Sequence, residues 1–291
     1  VTVLLATSSD WPVGEPGAPA LDAALAERGI DARWAVWDDG TVDWDSADLV
    51  AVRSTWDYMA RPTAFLDWAR SLEPSRLLNG ADVFAWNVDK DYLTRLSGVP
   101  VVPTLTADDR AGLADAVRRF GRTVVKPRVG AGGAGVIVVD DPDDERLGQD
   151  VVDHPALPTA RGPWIAQPLV ESVRTVGETS VFVLDGVAVS QVDKVPGKDE
   201  IRVHEHYGGE SAPVALSPEL AELASAAIVA AGGFTGRPLD YGRVDLLHHE
   251  GRWCVSELEV TEPGLYLDVL PANAGAFADL VAARLDTPDG R

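Results

Sequence analysis

The chain has 291 residues, of which 46% are hydrophobic and 24% charged, a usage that suits one large globular unit or two to three smaller ones and excludes extended disorder. No apolar run approaches the roughly 18 residues that a membrane helix requires, so a spanning role is excluded. Forty-six acidic against 25 basic residues give a net charge of −21, which repels a polyanion at long range and argues against a nucleic-acid partner.

The first 80 or so residues alternate strand and helix patterns. The apolar stretch from Val1 to Thr7 has no basic segment before it and no small-residue cleavage site after it, so it reads as a first strand and the protein as cytoplasmic. A helical pattern follows from about Ala18 to Arg28, stopped by Gly29, and then the strand patterns DARWAVW and DLVAVRS. Pro62 suits the first turn of a second helix, which leads into the short strand RLLN. These elements predict a small parallel α/β domain.

Beyond Asn79, Val88, Tyr92 and Leu96 recur at four-residue spacing, which predicts a helix capped by Asn87 and stopped by Gly98, with Lys90 in its first turn. From Pro100 to about Asp140 the pattern runs strand, helix, strand, glycine-rich loop, strand, an order that suits a compact lid. The acidic, turn-rich stretch from Asp140 to Pro155 reads as a solvated connector. The rest is β-rich, through WIAQPLV, ETSVFVLDG, VAVSQVDKV and EIRVHEHYG, before a helix near Pro218 to Ala231, the pair RVDLL and RWCVSELEV, and a final helix.

Gly130, Gly132 and Gly135 fit a G-x-G-x-x-G dinucleotide loop, but that turn needs a helix after it to receive the pyrophosphate, and VIVVDD reads as a strand. A P-loop is excluded because no Gly-Lys-Ser or Gly-Lys-Thr closes the run. Two readings remain: a hairpin whose backbone N–H groups approach phosphate oxygens, with Lys126 just before it, or a flexible hairpin without a ligand. The chain uses 21 arginines and only four lysines, Lys90, Lys126, Lys194 and Lys198. That bias marks places where a compact ammonium is needed, unless the placement is chance.

Period-two alternation puts Glu257 and Glu259 on one face of their strand, with Ser256, Leu258 and Val260 on the other. Neighbouring carboxylates repel unless a cation lies between them. Asp245 joins that face only if the turn has odd length, such as a His249-Glu250-Gly251 loop. The alternatives are an Mg2+ site and an acidic, solvent-facing hairpin. His204 and His206 share a face with Arg202 on an expected strand, which suits an anion-contacting surface better than zinc. The sole cysteine, Cys254, excludes an internal disulfide and any multi-cysteine metal centre.

In their order, these segments resemble the ATP-grasp superfamily, and glutathione synthetase and its relatives in particular, from Asn79 onward. RSTWDY near residue 53 together with WNVDK is similar to small bacterial amino-acid ligases of the O-ureido-serine cyclo-ligase group. The resemblance implies an α/β (α+β) ATP-grasp fold in three parts: a parallel α/β region over 1–86, a lid over 87–166, and a region carrying the metal site over 167–291. It implies ATP contacts at Lys90, Lys126, Gly132, Gly133 and Lys194, an adenine strand from Gln167 through Pro168 and Leu169 to Val170, and a ribose contact at Glu178. Asp245, Glu257 and Glu259 match the metal positions, with Glu259 departing from the usual Asn. Arg202, followed by Gly208 and Gly209, matches the arginine that contacts the transferred phosphate, so Arg202 and Lys126 take the catalytic roles.

Arg53 could dock a substrate carboxylate between Trp56 and Tyr58; alternatively it pairs with Asp57 while the aromatics pack a domain interface. The implied reaction is ATP-dependent ligation of a small-molecule carboxylate to an amine through an acyl phosphate. Its cofactor is Mg2+, with Mn2+ as an alternative, and a second copy of the chain is a candidate partner. A small-molecule kinase and a nucleotide-binding regulator without turnover are the rival readings, with a nicotinamide oxidoreductase behind them.

Overall fold

The structure, a computed structural model, describes residues 1–153 and 159–286. Strand β1 (Thr2–Thr7) is buried along nearly its whole length, as expected of a parallel strand covered on both faces. It pairs in parallel with β2 (Asp31–Val36) and β3 (Leu49–Val52) in a sheet ordered β2-β1-β3. Helix α1 (Ala18–Glu27) ends at Gly29, whose φ of 71° lets the chain turn off the helix. Helix α2 (Pro62–Ser71) opens on its proline, as expected. RLLN is not a strand: Leu77 makes a single parallel bridge to Val50.

The expected helix after Asn87 is displaced. Helix α3 (Ala81–Asn87) precedes it, and residues Lys90–Thr94 form one 3-10 turn capped by Asp89, whose side chain accepts from the Asp91 N–H. Asn87 instead closes that helix and serves the far end of the sheet. Its amide donates to Leu258 O at 2.9 Å and accepts from Val260 N at 3.1 Å. Four-residue spacing records that Val88, Tyr92 and Leu96 are buried, which a 3-10 turn satisfies as well as an α-helix.

The region expected to form the lid contains a four-stranded sheet ordered β4-β7-β5-β6, from β4 (Leu105–Ala107), β5 (Thr123–Pro127), β6 (Ile137–Val139) and β7 (Trp164–Pro168), with α4 (Arg110–Phe120) packed on it. Asp109 caps α4 by accepting from Gly112 N at 2.9 Å. β5 and β6 pair antiparallel, so the glycine loop is a hairpin. Within the described part of the acidic connector Leu147 is fully buried in the lid core; His154 and Pro155 lie outside the described residues.

The third sheet is antiparallel and ordered β10-β9-β8-β11-β12, from β8 (Glu178–Leu184), β9 (Val187–Val195), β10 (Glu210–Val214), β11 (Tyr241–His249) and β12 (Arg252–Glu259). Helix α5 (Pro218–Thr235) covers it. Helix α6 (Ala272–Leu285) packs with α1, so that Leu5, Leu21 and Leu25 share a core with Phe182, Tyr241 and Phe277. The expected strand EIRVHEHYG is a loop with a 3-10 turn at Glu205–Tyr207, and the strand begins only at Glu210. Gly208 at φ 80° and Gly209, where a Cβ would lie 2.0 Å from Val203 O, bend the chain back on itself. The shared face read for Arg202, His204 and His206 therefore does not exist.

The β11–β12 turn corrects another expectation. His249 pairs with Arg252, leaving a two-residue turn of Glu250 and Gly251, both at positive φ (49° and 83°). In an unbroken ladder that turn would pair Asp245 with Ser256 and point it away from Glu257. A bulge at Ser256 restores the parity: Asp245 pairs with Glu257 and Arg243 with Glu259.

Candidate active site

A cavity of about 570 Å³ lies between the lid sheet, the five-stranded sheet and Trp11 and Trp56 of the N-terminal region. Its wall includes Lys90, Lys126, Gly132, Gly133, the run Gln167 to Val170, Glu178, Lys194, Arg202, Asp245, Glu257 and Glu259. Segments far apart in sequence thus converge on one space large enough for a nucleotide-sized ligand.

Lys90 joins the two halves of this wall. Its ammonium donates to Gly130 O at the start of the glycine loop and lies 3.2 Å from Glu257 Oε1. Lys126, half-buried at the end of β5, has no ion pair among the described residues, so its charge is available to a ligand. Gly133, at φ 75°, has no room for a larger residue without displacement: a Cβ there would lie 3.1 Å from Arg202 Cδ and 3.2 Å from Tyr207. Gln167 is buried and donates to Thr104 Oγ1 at 3.0 Å.

Glu178 and Lys194 face each other across β8 and β9, 2.6 Å apart, and Lys194 also lies 3.3 Å from Asp245 Oδ1. Asp245 further accepts from Ser180 Oγ at 2.5 Å and from both Nε and Nη2 of Arg243 at 3.0 and 2.9 Å. Against the opposing effect of burial, Arg243 and Lys194 hold the Asp245 carboxyl well below the usual carboxylate range. Arg243 also pairs with Glu259. Burial pushes the Glu259 carboxyl up; Arg243 opposes this, and repulsion from Asp245, Glu257 and Glu262 adds to it.

Arg243 is the residue that sequence reading missed at this site. The signal was present, because it stands two residues before Asp245 and so on the same strand face. Glu262 was also missed. It is 5% exposed and lines the cavity, with Tyr58 buried beside it. Its only sequence signal was its position three residues beyond Glu259.

Not every expected residue reaches the wall. Arg53 is fully buried, with its guanidinium 2.7 Å from Glu15 Oε1 and 2.7 Å from Pro263 O, and it does not line the cavity. Its partner is Glu15, not Asp57, which instead accepts from Trp37 Nε1 at 2.8 Å and pairs with Arg61 at 2.9 Å. Trp56 does line the cavity and donates to Glu262 O at 3.1 Å, whereas Tyr58 is buried behind Glu262. Gly208 and Gly209 shape the Arg202 loop without lining the cavity. Arg202 itself is held by Asp153 and Glu200, each at 2.6 Å, and lies 3.4 Å over the Tyr207 ring.

Among the described residues no three His, Cys, Asp or Glu side chains form a group that could hold a metal unaided. In ATP enzymes Mg2+ is held by one or two carboxylates together with substrate phosphates, and hard oxygen donors are what it requires. Asp245 and Glu257, paired across the ladder and both lining the cavity, fit that need. Glu259 brings a third carboxylate where Arg243 offsets the added negative charge. No described helix is long and apolar enough to cross a membrane.

A four-stranded antiparallel sheet set against a five-stranded one, with lysines, a glycine hairpin and strand-borne carboxylates between them, is the ATP-grasp arrangement. The chain belongs to the ATP-grasp ligases, ADP-forming enzymes that join carboxylates to amines at the expense of ATP. Residues 90–233 match the ATP-grasp domain of prokaryotic glutathione synthetase, and residues 3–79 match the N-terminal domain of D-cycloserine synthetase DcsG. The chain is 31% identical to the cycloserine biosynthesis protein DcsG of Streptomyces lavendulae over 310 residues, which covers 98% of this chain and 99% of that one. The crystal structure of D-cycloserine synthetase DcsG superposes with a TM-score of 0.81 at 29% identity, over 98% of this chain and 100% of that one. Glutathione synthetase of Brucella melitensis is 32% identical over 126 residues, 41% of this chain and 37% of its own length.

Proposed function

We propose that this ligase transfers the γ-phosphoryl group of ATP to the carboxylate of an amino-acid-sized substrate and that an amine then displaces phosphate from the acyl phosphate. The observation that carries this reading is the convergence of Lys90, Lys126 and Arg243 with the Asp245–Glu257 pair in one cavity beneath a glycine hairpin. Cations disposed around the site of phosphoryl transfer stabilise the charge that develops there, so no protein nucleophile is required.

In this reading the lid, with Gly132, Gly133 and Lys126, covers the triphosphate, and Lys90 approaches it from the other side. Gln167, Pro168, Leu169 and Val170 receive the base, with Glu178 and Lys194 beside the ribose. Arg202 reaches the transferred group from its loop, with Gly208 and Gly209 shaping that loop. Trp56 borders the organic substrate, while Arg53 and Tyr58 support that border from behind. Asp245, Glu257 and Glu259 would hold Mg2+, or Mn2+ in its place, which when bound neutralises phosphate charge. The chain divides for this task into 1–86, 87–166 and 167–291. A close relationship to DcsG favours an amino-acid derivative as substrate and ring closure as one form of the ligation.

The test is a panel of amino acids of both hands and simple derivatives, incubated with ATP and Mg2+, with ADP and phosphate measured. A ligase releases both in step with an amide product. A kinase would release ADP and leave a phosphorylated product without free phosphate.

A further inference from the structure

The buried and half-buried carboxylates of the cavity wall are almost all matched with a cation. Glu15 has Arg53 at 2.7 Å, Glu178 has Lys194 at 2.6 Å, Asp245 has Lys194 at 3.3 Å, Glu257 has Lys90 at 3.2 Å, and Glu259 has Arg243. Glu262 is as buried as Glu15, yet among the described residues no cation lies within 4.0 Å of it. An unpaired buried carboxyl is costly, so a fold that places one against a ligand cavity invites a partner from the ligand.

The placement is also firm. Trp56 Nε1 donates to the Glu262 main-chain oxygen at 3.1 Å, and Arg53 donates to the next carbonyl, Pro263 O, at 2.7 Å. Two side chains from one N-terminal segment thus hold a short stretch just beyond the candidate metal strand. Three residues beyond Glu259 and bonded to Trp56 through its main chain, Glu262 stands at the border between the metal-strand end of the cavity and the Trp11–Trp56 end. A carboxylate group being activated must sit at that border, and so must the nitrogen that attacks it.

We propose that Glu262 accepts the proton from the attacking amine of the substrate, with Trp56 and Arg53 holding its main chain in place. The inference rests on the ligase reading above. The nitrogen lone pair forms the new C–N bond, the C–O bond to phosphate breaks, and phosphate leaves with that electron pair. The proton on the cationic nitrogen passes to a Glu262 carboxylate oxygen and from there to solvent. Burial raises the Glu262 carboxyl to about 7; Tyr58, Lys90 and Arg243 oppose this and Glu257 adds to it. A base poised near neutrality is suited to the task.

The experiment compares two nucleophiles on the same acyl phosphate. The full-length protein and Glu262→Gln are given ATP, Mg2+ and the amino-acid substrate that releases most ADP in the panel, with and without hydroxylamine. Hydroxylamine is already unprotonated at neutral pH and needs little base assistance. Glu262→Gln is expected to lose about 100-fold or more in amide product while keeping hydroxamate formation within about 10-fold of the parent. The loss in product should shrink as pH is raised toward that of free amine. An unchanged ratio of amide to hydroxamate overturns the proposal, because Glu262 then acts on activation or on the fold. Should Glu262→Gln lose both products, Glu262→Asp is measured the same way, with a lowered ratio supporting the proposal and an unchanged ratio overturning it. Absence of ADP and hydroxamate with the parent protein across the whole panel would instead count against the ligase reading itself.

Discussion

Asp245 faces Glu257 directly across β11 and β12, and it does so because Ser256 is bulged out of the ladder. The Ser256 hydroxyl donates to Asp245 O at 3.0 Å and so helps secure the irregularity. Bulges recur beside active sites because one extra residue re-aims every side chain beyond it. Here it brings two carboxylates to one face of the cavity, with Lys90 3.2 Å from Glu257 and Arg243 against Asp245.

Glu257→Gln is accordingly expected to lower turnover by about 100-fold or more, the consequence of losing about 3 kcal/mol of transition-state stabilisation. Raising Mg2+ or Mn2+ should restore part of the activity, since a neutral amide is a poorer ligand. Steady-state ADP release over a range of metal concentrations measures this. Full activity at low metal would return the acidic face to a solvated role.

The two lysines should separate. Lys126 has no internal ion pair, so Lys126→Met should weaken ATP binding by about 10-fold or more, on the order of 1.4 kcal/mol, with little change in stability. Lys90 holds Glu257 and Gly130, so Lys90→Met should weaken ATP binding and also destabilise the unliganded protein. Nucleotide titration and thermal unfolding of both variants check the contrast. Unchanged ATP affinity in both would remove the phosphate assignment.

Arg53 and Glu15 form a buried pair, and breaking one side strands the other. Arg53→Met should cost about 3–5 kcal/mol of stability and leave the KM for ATP nearly unchanged. The double variant with Glu15→Gln should recover part of the loss. Denaturant unfolding measures both. A stable Arg53→Met protein with a raised KM for the organic substrate would show instead that the guanidinium meets substrate.

The pH dependence of stability should carry the mark of Glu262. Its folded value, about 7, lies above the ordinary 4.5, so the fold favours the protonated form. Its contribution is full below about pH 4.5 and is lost as pH rises through about 7, a change on the order of 3 kcal/mol. Asp245 works in the opposite sense, and its effect is confined to acid pH. Glu259, pushed up by burial to about 8, works in the same sense as Glu262, so urea unfolding of the unliganded protein between pH 5 and 8 should show falling stability, with a smaller fall in Glu262→Gln. A flat profile in the parent would contradict the burial of that charge.

Much of this was legible in the sequence because it rests on local pattern. Apolar runs bounded by glycine and proline gave β1, α1, α2 and the strands β5, β6 and β7, and period two gave the Glu257–Glu259 face, whereas the strand expected at VPVVPTL begins only at Leu105. What was not legible depended on tertiary partners. Asn87 reads as a helix cap, but its amide is used by β12. The parity of the β11–β12 turn could not reveal a bulge four pairs further along the ladder. Arg53 looks like a carboxylate receptor until Glu15, 38 residues earlier, is found against it. Arg202 to Tyr207 alternates like a strand, yet the glycines after it fold the segment into a loop.

The central claim is that the carboxylate is activated by phosphorylation. Substrate labelled with oxygen-18 in its carboxylate, turned over with ATP and its amine, tests this most directly. Mass analysis of the released phosphate should show one labelled oxygen per amide formed, because the carboxylate oxygen that bonds to phosphorus is the one that leaves carbon when the amine attacks. Amide formation with no label in phosphate would contradict the account.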